Sequence, residues 1–466
     1  MSRAQRRVNL AIGTVRILRT VVERKTKLEV AWSAEKALWP HDGRVLRDMC
    51  SGTLRHLEHY SRFVDYYAEP HAADQFAFKL LACSFLYQQE HMENAPSFEA
   101  IRTTAAAVSS SVVQKSWAPK AMTSFLDTMS TLSAEERLRS QTEASRLSLP
   151  PWLYRELSHA PVPISAFAPL CLQRPDSLSL CVPAPREDYL SELYTHDASL
   201  SVGASEIVPL GVVIHSRPRD VDMAVPGLAE KRVHVQDLAQ QYGPSRLRPV
   251  PPGERVLDAT AAPGGKSRCL LRHQPHVAGH LIAVEQNRRK ANALRESLPA
   301  ATVICADAAD PSQWWDGKPF AAILLDPPCT ATGLLRALPE IKVHRSVDDV
   351  DILRAMQLRL LKGVWPMLKP GGELLYSTCS LLDAENCDVL RDFLDQYPDA
   401  LAVKLRPPSA STTSRTFRAL GRRNKHDVPP SVSIAASRPH GGITFYPSLT
   451  HQGGFAAILR KQPQSV

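Results

Sequence analysis

Apolar residues recur at helical spacing from the start of the chain, with Val8, Ile12, Val15, Leu18 and Val22 forming one stripe. The pattern persists to about residue 140. Leu54, Leu57, Tyr60 and Val64 share a face within 46–67, and 78–87 (FKLLACSFLY) is almost continuously apolar. Strand alternation is nearly absent there, so the spacing predicts an all-helical domain over 1–145 whose Met, Leu and aromatic stripes are core. From Pro150 the texture changes. Pro150, Pro151, Pro161, Pro163, Pro169 and Pro175 exclude a long helix, and β-branched runs such as 207–214 predict a small α+β module over 146–228. Beyond Glu254, segments 255–258, 280–285, 301–305, 320–326 and 373–377 read as strands, and 287–298 and 351–368 as helices. This alternation predicts a mostly parallel, doubly wound sheet within a domain over 229–466. Ligands in such sheets bind at the carboxyl ends of the strands.

Composition narrows the function. A chain of 466 residues suits two or three domains, and 44% hydrophobic residues supply real cores. Lys plus Arg outnumber Asp plus Glu by 56 to 47, and a net charge of +9 favours a polyanionic partner. The nine cysteines include no C-x-x-C pair, which argues against a zinc site or disulfide framework and for a reducing, cytoplasmic compartment. No apolar run approaches the roughly 20 residues that span a bilayer. Arg3, Arg6, Arg7, Arg16 and Arg19 precede the first acid, Glu23, as in an organellar transit peptide. The helical stripe and the scarcity of Ser favour a domain helix instead. The stretch 405–440 carries seven Lys or Arg against Asp427 alone, and reads as a flexible basic insertion, either a plain solvated loop or an arm for RNA phosphates.

The candidate chemistry falls at the strand ends. After the first strand comes Asp258-Ala-Thr-Ala-Ala-Pro-Gly-Gly-Lys266, a strand-to-helix turn whose paired glycines let a ligand approach the backbone. It lacks both the G-x-G-x-x-G spacing and the Walker spacer. Glu285 ends the second strand, placed to accept ribose hydroxyls or simply to sit by a helix start. Asp307 follows the third. Together the three ends predict a nucleoside-like ligand. The fourth strand ends in Asp326-Pro-Pro-Cys329, where two prolines stiffen a loop holding a carboxylate and a thiol. The fifth ends in Thr378-Cys379-Ser380. A cysteine there is either a small hydrophobe or, among hydroxyls at a carboxyl edge, a reactive thiol.

The stretches Val235-Gln-Asp237, LDATAAPGGK, LLDPPCTATGLLRALPEIK and LLYSTCSLLDAEN closely resemble, over 231–400, the Sun/Nop class of RNA cytosine-C5 methyltransferases. More weakly, 46–57 (LRDMCSGTLRHL) is similar to the NusB-like domain that precedes the catalytic part in a bacterial ribosomal RNA subgroup. The resemblance implies a Rossmann-like class I methyltransferase domain, preceded by an all-helical NusB-like RNA-binding domain and a small α+β module. It implies S-adenosylmethionine as cofactor, no metal, a monomer, and RNA as partner, ribosomal RNA before tRNA. The cofactor loop falls on Thr260, Ala261, Ala262, Pro263, Gly264, Gly265 and Lys266. Glu285 would bind the ribose, Asp307 would lie by the adenine, and Asp326 between cofactor and base. Cys379 would be the nucleophile and Cys329 the residue that helps release product. Lys342, His344 and Arg345 either grip flanking phosphates or form a solvated face. Thr260 stands where a Cys is frequent, Ser267 for Thr and Thr330 for Ser; Gly453 replaces a common acid before Gly-Phe, which puts local contacts in doubt. The competing readings are an inactive RNA-binding assembly factor that keeps the fold, and amino-group or DNA cytosine methylation, neither of which needs both cysteines.

Overall fold

The computed structural model describes residues 2–39, 42–216, 218, 221–407 and 435–463. It divides into two compact units, Met1–His159 with Cys171–Gln173 and Leu338–Ser346, and the remainder. The helix Pro151–Ser158 therefore goes with the helical unit, beyond the limit expected at 145, and 146–228 is not a unit of its own.

The helical unit contains Arg3–Glu23, Gly43–Arg55, Leu57–Tyr67, Phe76–His91, Phe98–Val113 and Ala118–Thr131. Ser2 starts the first by accepting from the Gln5 N–H at 3.2 Å. Its apolar stripe is used as core: Val15, Leu18 and Val21 are buried, with Val8, Ile12 and Val22 packed beside them. Phe76–His91 is buried on nearly all sides, as a helix without a polar face must be.

Segment Leu338–Ser346 is part of this unit. Lys342 is buried and its ammonium donates to the Arg55 carbonyl at 2.8 Å; a His344 ring nitrogen lies 2.9 Å from the Val21 carbonyl. Neither forms a phosphate grip or a solvated face. Both side chains are spent on backbone carbonyls that the helices leave unpaired. Burial, with Arg55 adding to it, pushes Lys342 down to about 7. An unfolded lysine keeps its proton to a pH of about 10.4, so between pH 7 and 10 the unfolded chain binds more protons and stability rises with pH. Lys342→Met is expected to flatten that rise; urea unfolding of both proteins at pH 7 and 9 measures it, and equal slopes would mean Lys342 titrates as if solvated.

The second unit opens on a four-stranded antiparallel sheet in the order Val202–Ala204, Gly211–Ile214, Leu178–Cys181, His234–Val235. The strand expected over 207–214 is confined to its second half. Ser205 Oγ accepts from the Ile207 and Val208 N–H groups at 3.1 and 3.2 Å, which turns the chain instead.

The large sheet carries the motifs. Its strands are β1 (Val256–Asp258), β2 (Leu281–Val284), β3 (Ala301–Ile304), β4 (Phe320–Leu325), β5 (Leu368–Thr378), β6 (Ala400–Val403), β7 (Ala435–Ser437), β8 (Ile443–Phe445) and β9 (Gly454–Lys461). The order is β7-β8-β9-β5-β4-β1-β2-β3, with β6 also on β9. Strands β1 to β5 are parallel, and β6 to β9 add antiparallel. Both faces are covered: Leu257, Ile282, Ile323 and Leu374 belong to one core, and Val256, Leu281, Leu324 and Leu375 to the other. Of the stretch expected as a flexible insertion, 435–437 is the ordered edge strand β7 and Arg438 pairs with Asp383; 408–434 lies outside the described residues. Among the described residues, no helix is long and apolar enough to cross a membrane.

Candidate active site

Strand β1 lies between β2 and β4, so the connections after β1 and β4 leave in opposite directions and open a crevice at their carboxyl ends. The loop 259–264 is tied to both neighbours, Ala259 N–H to the Leu324 carbonyl and Ala261 N–H to the Val284 carbonyl, each at 2.9 Å. It then turns on Gly264, whose φ of +94° suits glycine, and enters the helix Gly265–His273. A Cβ at Gly264 would lie 2.9 Å from Leu294. The backbone there is held close to the neighbouring helix.

Asp258 ends β1 wholly buried, and burial lifts its carboxyl to about 6 despite a 2.5 Å hydrogen bond from Ser267. Its Oδ1 is buried without a partner. An unfilled acceptor beside a glycine turn fits a ligand that brings a donor. Glu285 Oε1 accepts from the Asn287 N–H at 2.7 Å. Asp307 is more committed than the sequence implies: one oxygen accepts from Ala309 N–H, the other pairs with Arg359 at 2.5 Å. Thr260, expected simply as part of the cofactor loop, also accepts the Asp326 N–H at 3.0 Å, joining the ends of β1 and β4.

Lys266 turns back into the crevice and donates to Asp326 Oδ2 and Gln240 Oε1, both at 2.6 Å. Burial alone would lower its pKa, but Asp326, by charge and hydrogen bond, and Cys379 outweigh it and raise it. A fixed cation therefore lies within electrostatic reach of Cys379.

The two cysteines, fifty residues apart in the chain, meet here. Their sulfurs are 3.2 Å apart, Cys329 nearly buried and Cys379 partly open. The hydrogen bond to Cys379, then burial, then the charges of Cys379, Glu385 and Asp326 push the Cys329 thiol well above its ordinary value. Cys329 therefore keeps its proton, and either sulfur can donate in the contact between them. Gly333 locks the loops together, its N–H donating to the Cys379 carbonyl and its carbonyl accepting from Gly453 N–H, both at 2.8 Å. A Cβ on Gly333 would lie 2.5 Å from the Gly453 backbone, and one on Gly453 2.9 Å from Gly333 Cα. The missing acid at 453 is thus a matter of packing against the Cys329 loop. Gly333→Ala is expected to cost about 1–3 kcal/mol by overpacking, read from urea unfolding. An unchanged midpoint would contradict this contact.

Sequence reasoning missed Gln240, Arg359 and Glu385. Glu385 stood within the quoted LLDAEN stretch, and only the fold reveals what it holds.

Fold and site together define a Rossmann-like methyltransferase. A family model described as 16S rRNA methyltransferase RsmB/F matches residues 245–457. The ribosomal RNA small subunit methyltransferase B of Vibrio vulnificus is 30% identical over 416 residues, covering 85% of this chain and 93% of that protein. Its namesake in Pseudomonas syringae pv. tomato is 40% identical over 272 residues, 56% of this chain and 59% of the relative's own length. Among solved structures, PH0851 superposes with a TM-score of 0.68 at 22% identity over 97% of this chain and 99% of that one. NSun6 from Pyrococcus horikoshii with SFG gives 0.52 at 16% identity over 68% and 99%. These likenesses show the fold. The chain belongs to the RsmB/F family of the Sun/Nop class.

Proposed function

We propose that this protein transfers a methyl group from S-adenosylmethionine to carbon 5 of a cytidine in small-subunit ribosomal RNA, through a covalent bond to Cys379. The observation that carries the proposal is the 3.2 Å approach of two thiols at the joined ends of β4 and β5. One nucleophile would suffice for attack. A second thiol against it has use where the first must also leave.

Carbon 5 of cytosine is a weak nucleophile. Addition of the Cys379 sulfur to carbon 6 makes carbon 5 enamine-like, splitting a hard step into easier ones. Asp326, held by Lys266, would face the pyrimidine edge, where its charge favours uptake of a proton from water at N3 as the sulfur adds. The bound cofactor would supply the methyl group to carbon 5. A base, a water or Cys329, then takes the carbon 5 proton; N3 gives up its proton as the ring is restored and Cys379 leaves as the thiolate. Thr260 to Lys266, Glu285 and Asp307 would hold the cofactor, and the base must be single-stranded or flipped out to enter. In the helical unit, a groove of about 500 Å³ is lined by Arg16, Arg19 and Arg24 together with Glu23; Arg16 pairs with Glu35 and Arg19 with Glu23, so its proposed RNA-binding role would draw on a partly neutralised basic face.

Bisulfite sequencing of ribosomal RNA from cells with and without the gene tests the substrate. One small-subunit cytidine should resist conversion solely where the protein is present. Protection confined to a tRNA would move the assignment there.

A further inference from the structure

The side chains flanking each cysteine converge on one buried carboxylate. Thr330, next to Cys329, donates to Glu385 twice, from its N–H at 2.8 Å and its hydroxyl at 2.5 Å. Ser380, next to Cys379, donates its hydroxyl to the same Glu385 Oε2 at 2.5 Å. Gln357 donates to Glu385 Oε1 at 3.0 Å and to the Pro328 carbonyl, on the other side of Cys329, at 2.9 Å. Glu385 is itself anchored, its carbonyl accepting from Tyr376 Oη at 2.6 Å, and it is fully buried. Next to it, Asn386 accepts from the Thr378 hydroxyl and donates to the Ser380 carbonyl, at 2.7 and 3.1 Å.

We infer that Glu385 is the positioning residue that sets the separation and aim of the two cysteine sulfurs. An ionised carboxylate offers about four acceptor sites on two oxygens, and here four donors from three elements fill them. Without it, Thr330 and Ser380 lose their common partner; the loops stay joined through Gly333 N–H and Thr332, but the segments that carry the two sulfurs lose the group that fixes their spacing. The bearing of this on catalysis rests on the proposed cysteine chemistry; the geometric claim does not.

The test uses the cysteine pair as its own ruler. Diamide takes two electrons and two protons from a pair of thiols, becoming the hydrazine and leaving a disulfide whose S–S length is about 2.05 Å. In the full-length protein with Cys305→Ser, closure of the 329–379 bond is timed by mass spectrometry of the joined peptides, without RNA or methyl donor. Glu385→Ala is expected to slow closure about tenfold or more. Removing a negative charge eases thiol ionisation and would speed the reaction, so a slowdown reports lost alignment. Glu385→Gln keeps size and hydrogen bonding, since both hydroxyls can reverse to accept its amide, and should close within about threefold of wild type. Should Glu385→Ala not fold, the pair Thr330→Val with Ser380→Ala removes both hydroxyl donors and should reproduce most of the slowdown.

Closure at the wild-type rate in the alanine variant, or in the pair, overturns the inference. In methylation assays kcat should fall by about a hundredfold in Glu385→Ala with KM for RNA unchanged, and recover in Glu385→Gln. A matching rise in KM, or slowed closure with full turnover, would also overturn the positioning role. Because closure needs neither RNA nor cofactor, failure of the methyl-transfer proposal leaves that measurement standing.

Discussion

Cys379→Ala is expected to lower methyl transfer by about three orders of magnitude or more while the protein stays folded. The first half follows from the chemistry. Without a sulfur at carbon 6, carbon 5 stays too weak a nucleophile to take the methyl group at a useful rate. Cys329 is close but is held protonated and nearly buried, so it is a poor substitute nucleophile. The second half follows from the contacts. The structural bonds of residue 379 are made by its backbone: its carbonyl accepts from Gly333 N–H, which alanine preserves. Its side chain hydrogen-bonds to the Cys329 sulfur. Transfer of labelled methyl groups to ribosomal RNA, beside thermal unfolding of the same preparation, measures both. Residual turnover near wild type would remove Cys379 as nucleophile. Activity lost together with the fold would instead reveal a structural cysteine.

What the sequence conveys and what it hides divide along a physical line. Strand ends are local: a hydrophobic run followed by Gly-Gly, an acid or a Pro-Pro pair marks its own boundary, so Asp258, Glu285, Asp307 and Asp326 could each be placed without knowing strand order. That they share one crevice depends on β1 lying between β2 and β4, which no local pattern encodes. Side chains that reach across the fold were invisible. Gln240 holds Lys266 from an earlier helix, Arg359 neutralises Asp307, and Glu385 accepts from the loop of Cys329. The segment after the Cys329 loop was misread for the same reason. Lys342 and His344 look like surface cations, and their inward bonds depend on carbonyls contributed by helices some 290 to 320 residues earlier. Ser205 shows the converse, a local hydroxyl overruling a β-branched run.

Cys329→Ala is expected to leave the enzyme joined to its RNA. Attack does not require this thiol, so addition and methylation proceed. Departure of Cys379 does: the leaving sulfur carries negative charge, and in the resting site Cys329 is the proton-bearing neighbour 3.2 Å away. A hydrogen bond to a developing thiolate in a nearly buried place is worth more than the same bond in water. Removing it should convert a transient intermediate into a protein–RNA adduct that survives heat and detergent, seen as a shifted band on a denaturing gel. Full turnover without any adduct would deny Cys329 a part in release. Serine separates the two ways the thiol can help. Cys329→Ser keeps a donor at the same position but is far harder to ionise. If Cys329 acts by donating to the departing sulfur, serine should restore much of the release. If it acts as the base that takes the carbon 5 proton, serine should trap the adduct as alanine does. That burial and its charged neighbours keep Cys329 protonated in the resting site favours the first outcome.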